Sequence, residues 1–408
     1  MSKFLFIVPP FIGHINPTLG IGSELLRRGH EVTWIGIKEL PKENIPEGGN
    51  FIVPLELKEH ENEINVIMEK QDNGHDMRGA EVLKFAMEET YIPFCNFIVS
   101  GILRIIDDFQ PDVVVHDENM FAGAICAVLK KIPYVTSIAV PPGILQPSGI
   151  LPKVEEWQTQ TIINLQKKFG IKGESKIINS PNMNMVYTSR EFIGNIPFPD
   201  HYKFVGPIVK GRPKVCEFDF DELRKSDLPK IYVSLGTVLN KVRKEFFAKI
   251  IEALADQPVT VIAATIPDIF DKWPDNFIVR SFVPQSELLP YVDAVIYHGG
   301  FNTVNETLLH GIPMIIIPLA YDQFHIATLV VNSGSGLRLK FRRLKSEDIK
   351  TALREILQNP KYKQAALKIE DTLKSAGGTD KATDYLEEFA HKYFHPQKHE
   401  NIKPHQTR

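Results

Sequence analysis

No apolar run in this chain reaches the roughly 18 uninterrupted residues that a bilayer-spanning helix needs. The run nearest the N-terminus, Phe4–Val8, stops at Pro9-Pro10 after five residues, too short for the hydrophobic region of a secretory signal. The expectation is a cytoplasmic protein that is neither exported by a cleavable signal nor membrane-spanning. Cysteine is scarce. Cys95, Cys126 and Cys216 are far apart and odd in number, a pattern with neither disulfide nor metal-ligand spacing that fits a reducing compartment. Net charge is small as well: 47 basic against 50 acidic side chains leave −3, which gives no reason to expect nucleic acid or an anionic membrane as partner. A G-x-G-x-x-G loop is also missing. The segment after the first strand reads Phe11-Ile12-Gly13-His14-Ile15-Asn16-Pro17, which speaks against a dinucleotide-binding dehydrogenase.

What is present is alternation. The chain's 408 residues exceed what one core usually organises, so two domains are expected. Phe4–Val8 reads as a strand, Asn16 and Pro17 as N-cap and first residue of a helix, Gly29 as its C-terminal stop and Glu31–Ile35 as the next strand. A helix over Glu81–Asp108, a strand at Asp112–Val115, a helix over Phe121–Lys130 and a strand at Pro133–Ser137 follow. Residues 207–229 carry Gly-Arg-Pro, several charges and Leu228-Pro229, the character of a linker. The alternation then restarts, with strands expected at Ile231–Leu235, Thr260–Ala264, Phe277–Ser281, Ala294–Tyr297 and Met314–Ile317. Helices are expected over Arg243–Ala255, Asn302–His310, Gln323–Asn332 and Ser346–Gln358. The fold class is α/β, two doubly wound Rossmann-like domains facing across a cleft, each with a parallel sheet covered on both faces. The expected division is an acceptor-binding domain with the catalytic base (1–206), the linker, a donor domain (230–379), a C-terminal helix (380–396) and a disordered tail (397–408).

The second domain carries the most informative stretch. A strand runs into His298-Gly299-Gly300-Phe301-Asn302-Thr303 and a helix begins. Glycines let main chain approach a ligand, and a helix N-terminus with free N–H groups suits a diphosphate. Asp322-Gln323 sits at the tip of a later loop and offers a carboxylate and an amide to a polyhydroxylated group. Taken singly, each feature has a plainer reading: Thr303 and Glu306 have the spacing of a capping box, Gly-Gly is a common turn, and Asp322-Gln323 can simply open a helix.

In combination they are recognisable. Phe282-Val283-Pro284-Gln285, His298-Gly299-Gly300, Asn302-Thr303, Glu306, Gly311-Ile312-Pro313, Pro318 and Asp322-Gln323, with Gly13-His14 near the N-terminus, resemble the signature of UDP-glycosyltransferases, nearest the bacterial macrolide and zeaxanthin glycosyltransferase-like branch. The resemblance spans essentially the whole chain and implies the inverting, two-domain GT-B type. It implies that Phe282 stacks on the base, where plant members carry tryptophan, and that Val283 and Gln285 lie near the nucleoside. His298, Gly300, Asn302 and Thr303 would meet the diphosphate, Glu306 the ribose hydroxyls, and Asp322 and Gln323 the sugar. Ser234-Leu235-Gly236-Thr237 matches a further loop near the phosphates. The family often has asparagine three residues after the glutamine; here Ile326 stands there.

Transfer needs a base. His14 lies in the loop after the first strand, and imidazole titrates near neutral pH. It needs an orienting partner. Asp117, at the end of Val113-Val114-Val115-His116-Asp117, is the first choice; it can instead cap the following helix, and His116 and Asn119 are alternatives. The expected reaction moves a hexose, glucose from UDP-glucose first and dTDP-sugars second, to a hydroxyl of a small hydrophobic acceptor of the natural-product kind. It proceeds with inversion, with no cofactor and no metal, in a monomer. Asp219-Phe220-Asp221 formally fits a metal-binding D-x-D pattern but falls in the linker and reads as a solvated charge cluster. A nucleotide-sugar-binding protein without transfer activity, or an epimerase or hydrolase on the same scaffold, are the competing readings.

Overall fold

A computed structural model describes residues 1–71, 77, 79–142, 152–194, 196–212, 216–236 and 241–394. Two parallel sheets organise it. The first is built from β1 (Lys3–Ile7), β2 (Glu31–Ile35), β3 (Asn50–Ile52), β4 (Val113–Asp117), β5 (Tyr134–Ile138), β6 (Asn184–Val186) and β7 (Tyr202–Phe204), in the order β3-β2-β1-β4-β5-β6-β7. The second contains β8 (Lys230–Ser234), β9 (Thr260–Ala264), β10 (Phe277–Arg280), β11 (Ala294–Tyr297), β12 (Met314–Ile316) and β13 (Gly336–Arg338), in the order β10-β9-β8-β11-β12-β13. Central strands such as β4 and β5 are buried along their whole length. Helices cover both faces of such a sheet, so the strands read as continuous β-branched runs rather than alternating ones.

Both sheets reverse their winding beside their first strand, between β1 and β4 and between β8 and β11. At these points the loops leaving neighbouring strands diverge and open a crevice at the carboxyl edge. The first crevice is bounded by the segment after β1, which holds Gly13 and His14, and by Asp117 at the end of β4. The second is bounded by Ser234-Leu235-Gly236 after β8 and by His298-Gly299-Gly300 after β11. The topology alone therefore places the two candidate constellations.

The first helix departs from expectation. It runs Ile12–Arg27 with Phe11 at its N-cap, so Asn16 and Pro17 are inside it rather than at its start. Pro17 has no N–H, so the carbonyl of Gly13 four residues earlier lacks its normal helical partner. The expected 81–108 helix is also interrupted: Ala80–Ala86 passes through a π-turn at Met87–Tyr91 into Ile92–Phe109.

The units are joined twice. Ile208, in the linker, is fully buried in the first unit's core, and Leu223 is fully buried in a core to which both units contribute. After the second unit, the helix Gly378–Phe394 returns to the first, where Ala382, Leu386, Phe389 and Ala390 share a core with Phe4, Leu19 and Leu25. Arg28 Nη1 donates to Asp384 at 2.8 Å and to Glu387 at 2.6 Å across that contact. The two crossings touch: Gly378 N donates to Val205 O at 2.6 Å and Thr379 Oγ1 to Lys210 O at 3.1 Å. The tail at 397–408 and the last two residues of the expected 380–396 helix lie outside the described residues. Among the described residues no helix is long and apolar enough to cross a membrane.

Candidate active site

His14 Nδ1 lies 2.8 Å from Asp117 Oδ2. A carboxylate accepts and does not donate, so Nδ1 carries the proton and Nε2 keeps a lone pair. Asp117 is fully buried, and its other oxygen accepts from Asn119 N at 2.9 Å. Orienting the imidazole and holding the turn are thus done together, although the next helix starts only at Phe121, with Met120 as N-cap. His116 falls on the opposite face of β4, since side chains alternate along a strand. Its Nδ1 donates to Asp117 O at 3.0 Å, Nε2 sits 3.1 Å from Thr136 Oγ1, and burial pulls its pKa down to about 4. It is a neutral core histidine.

The pKa of His14 reflects opposing effects. Burial lowers it, but the charge and hydrogen bond of Asp117, with a further contribution from Asp322, carry it above its ordinary 6.5. Asp322 belongs to the other unit, so the first unit's histidine and the second unit's carboxylate face one another across the cleft. Burial pushes Asp322 up to about 6, with the His14 charge acting against the rise. The residue before it, Tyr321, has a φ of 52°, a strained value for a bulky side chain. Phe11 packs 5.9 Å from His14 between ring centroids, and Tyr91 packs edge-on against Phe121 at 5.6 Å. The acceptor pocket is also expected to draw on the polar segment 71–79 and on the Pro-rich apolar run 138–152 with Ile144, and most of these residues lie outside the described ones.

Across the cleft, the helix Phe301–Leu309 begins on Gly300, which supplies no capping side chain. Thr303 is therefore the third helical residue and not a cap, which overturns the capping-box alternative. The glycines serve a side chain here. A Cβ on Gly236, whose φ is +68°, would stand 2.7 Å from His298 Cε1, and one on Gly300 would stand 3.0 Å from His298 Nε2. The imidazole occupies the space those two residues leave. Burial holds His298 down at about 4, hence neutral, and its buried Nδ1 has no hydrogen-bond partner among the described residues. Ser234 Oγ accepts from Gly236 N at 3.2 Å; Thr237 lies outside the described residues.

Among the remaining candidates, Glu306, Gln285 and Thr303 form one connected set with Arg212 and Ser286. Glu306, almost fully buried, accepts from Arg212 Nη1 at 2.5 Å, from Gln285 Nε2 at 2.7 Å and from Ser286 Oγ at 3.4 Å. Thr303 Oγ1 donates to Gln285 Oε1 at 3.3 Å. Asn302 Nδ2 donates across the cleft to Gly13 O at 2.6 Å. Gln323 Oε1 accepts from Leu319 N at 2.8 Å and Ala320 N at 3.0 Å, so it shapes the loop carrying Asp322 and only its NH₂ remains for a ligand. Phe282 is 64% exposed beyond β10, an open aromatic face, and Val283 next to it packs into the second core. Asp219 caps the short helix Phe220–Arg224 through Asp221 N, and Asp221 pairs with Arg224. The D-x-D run is thus a local helix start.

A neutral imidazole and uncapped helical N–H groups suit an anion that must leave. A histidine poised by a buried carboxylate suits removal of a proton from a hydroxyl. Residues 192–376 match the family described as UDP-glucoronosyl and UDP-glucosyl transferase. Residues 192–376 thus carry a domain of the UDP-glycosyltransferase family. It is 29% identical to the uncharacterized UDP-glucosyltransferase YojK of Bacillus subtilis (strain 168), across 95% of this chain and 97% of that protein. It is 26% identical to 4'-demethylrebeccamycin synthase of Lentzea aerocolonigenes, across 95% and 99% of the two chains. Among solved structures, the calicheamicin glycosyltransferase CalG4 superposes with a TM-score of 0.75 at 21% identity, covering 97% of this chain and 99% of that one. VinC in complex with dTDP superposes at 0.72 and 18% identity, covering 96% and 100%. The fold is that of the GT-B glycosyltransferases. The family domain and the full-length glycosyltransferase relatives together support a sugar-transferring enzyme.

Sequence reasoning missed Arg212, Ser286, Glu118 and Tyr91. Glu118 follows Asp117 and is buried, its carboxyl pushed well up by that burial and by the Asp117 charge, and it accepts from Val140 N at 3.2 Å. Its only available signal was adjacency to Asp117. Arg212 had none beyond a place in a linker.

Proposed function

We propose that this glycosyltransferase moves glucose from UDP-glucose to a hydroxyl of a small, hydrophobic natural-product acceptor, with inversion and with His14 as general base. The observation that carries the reading is the 2.8 Å contact of His14 Nδ1 with Asp117, which leaves Nε2 free for the acceptor, with Asp322 of the other unit near enough to raise the imidazole's pKa. Nε2 takes the acceptor's proton as its oxygen attacks the anomeric carbon from the side opposite the nucleotide. Asp117 stabilises the imidazolium that forms. The C–O bond to the diphosphate breaks, and UDP leaves with the bonding electrons. Its charge is met by the N-terminus of Phe301–Leu309, the main-chain N–H of Thr303 included, and by His298. Glu306 and Gln285 hold the ribose and Phe282 stacks on the base, while Asp322 and the NH₂ of Gln323 accept from and donate to the sugar. The scheme calls for no cofactor and no metal.

A dTDP-sugar is the second reading, favoured by the small phenyl face of Phe282. A donor-by-acceptor screen read by mass spectrometry tests both: a hexose increment from UDP-glucose supports the first, and an increment only from dTDP-sugars replaces it. The anomeric proton coupling of the product decides inversion. His14→Ala should bind UDP-glucose normally and lose transfer; a binding protein without transfer activity would be the better reading if the native enzyme yields no product with any donor.

A further inference from the structure

The carboxylate assigned to the ribose is not held by its own unit alone. Arg212 belongs to the linker, and its guanidinium donates to Glu306 Oε1 at 2.5 Å, with side-chain exposures of only 14% and 3% for the two partners. Gln285 and Ser286 occupy the other oxygen, Oε2. A carboxylate offers about four lone-pair sites. Arg212, Gln285 and Ser286 fill three and leave one on Oε1, the oxygen that Arg212 holds. A planar guanidinium fixes both the charge balance and the plane of a carboxylate, which an ammonium does not.

The linker has little freedom to move the arginine away. A Cβ on Gly211, at a φ of +81°, would stand 2.9 Å from Gly20 O, and one on Gly20 would stand 2.7 Å from Lys210 O. This segment is therefore pressed onto the first unit's helix Ile12–Arg27 by a backbone-to-backbone approach that no larger residue permits. Arg212 carries the first unit's position into the second unit's donor site. Its Nε is buried with no partner among the described residues, so the Glu306 contact carries the pairing.

We infer that Arg212 is a positioning residue that aims Glu306 Oε1 at the ribose 2′-hydroxyl, and so sets the preference for ribonucleotide over 2′-deoxyribonucleotide donors. The inference rests on the ribose role proposed above for Glu306. Without Arg212 the carboxylate turns toward Gln285 and Ser286, and the remaining acceptor site no longer meets the hydroxyl.

The test uses UDP and 2′-deoxy-UDP as probes, which share a base and a diphosphate and need no acceptor. Calorimetry on the full-length protein should give native binding about 10-fold or more tighter for UDP, the scale of one hydrogen bond to a charged group. In Arg212→Met the UDP affinity should fall by about that factor while 2′-deoxy-UDP changes less than about threefold, so that the preference collapses. Arg212→Lys, which keeps charge and length and so guards against a folding defect, should show a partial collapse. Equal weakening of both probes would make Arg212 a simple tether between units, and an unchanged preference would remove it from recognition altogether; either result overturns the inference. Glu306→Gln separates the two levels. If Glu306→Gln leaves the preference intact, the ribose role of Glu306 fails; if it collapses the preference and Arg212→Met does not, only the Arg212 inference fails.

Discussion

The side-chain amide of Asn302 donates to the main-chain carbonyl of Gly13 at 2.6 Å, one unit to the other across the active-site cleft. That carbonyl is available because Pro17, four residues on in the same helix, has no N–H to give it. A proline inside the first helix thus supplies an acceptor for the second unit at the mouth of the cleft. Pro17→Ala restores the helical bond and competes with Asn302. The variant is expected to unfold at higher temperature while the cleft opens more readily, seen as faster amide exchange around Asn302. Unchanged exchange there would show the contact to be incidental.

The pH profile follows from the environment of His14. The base works unprotonated, so activity falls as pH drops through its pKa, and Asp117 and Asp322 place that pKa above 6.5 against the effect of burial. The acid limb of kcat/KM for native enzyme should therefore lie above 6.5. Asp117→Asn removes the largest raising influence and leaves burial, so the limb should move to lower pH. Its rate should also fall by about 10²–10⁴-fold, because asparagine no longer fixes the tautomer. A limb that moves upward would rule out the assignment.

Asp322, with a pKa of about 6, titrates close to the working range of the enzyme. Its ionised form is the better acceptor for sugar hydroxyls, so donor KM should rise as pH falls through about 6. Asp322→Asn should abolish that dependence and raise donor KM by about 10-fold or more. Steady-state KM measured across pH for the two proteins decides it.

Gly236→Ala should harm donor binding more than its size suggests. The new methyl meets His298 Cε1 at 2.7 Å, and the φ of +68° is itself unfavourable for alanine. An added strain of about 1–3 kcal/mol in stability is expected, together with weaker UDP binding because the imidazole must turn. Thermal denaturation and calorimetry read the two effects separately.

Leu386→Ala tests how the C-terminal helix is held. Leu386 is fully buried in the core formed by Phe4, Leu19 and Leu25, so truncation should cost about 2–5 kcal/mol. The loss should appear as increased exchange in β1 and in the helix Ile12–Arg27. Loss confined to the helix itself would mean that it is only loosely docked.

Much of the architecture was legible from residue order. β2, β9, β11 and the helices Gln323–Asn332 and Ser346–Gln358 have the bounds that their apolar runs and turn residues mark. β3, β6, β7 and β13, each three residues long, were not visible, whereas the equally short β12 stood out because Met314–Ile317 is an unbroken apolar run between Pro313 and Pro318. The start of the first helix was misread because proline is commonest in a first turn and Pro17 sits later. At the site, motif order brought out His14, Asp117 and the residues from Phe282 to Gln323. It gave no access to what those residues bond to. Gln323 turning into its own loop, Glu306 held by Arg212 and the glycines making room for His298 all depend on partners distant in sequence.

The chain passes between its two units at two points that touch each other, where Gly378 meets Val205. Beside these two straps the units also share apolar packing, with Ile138, Val186 and Phe192 of the first in one core with Phe301, Ile326 and Leu373 of the second, and Thr372 Oγ1 donates to Ser189 Oγ at 2.8 Å. Cutting either strap, for instance by ending the chain before Gly378, would bare Leu386's seat on the first core and also let the donor half swivel out of register with the base. The helix Gly378–Phe394 therefore bears on a reaction it never touches, by tying the donor half to the core beneath the base.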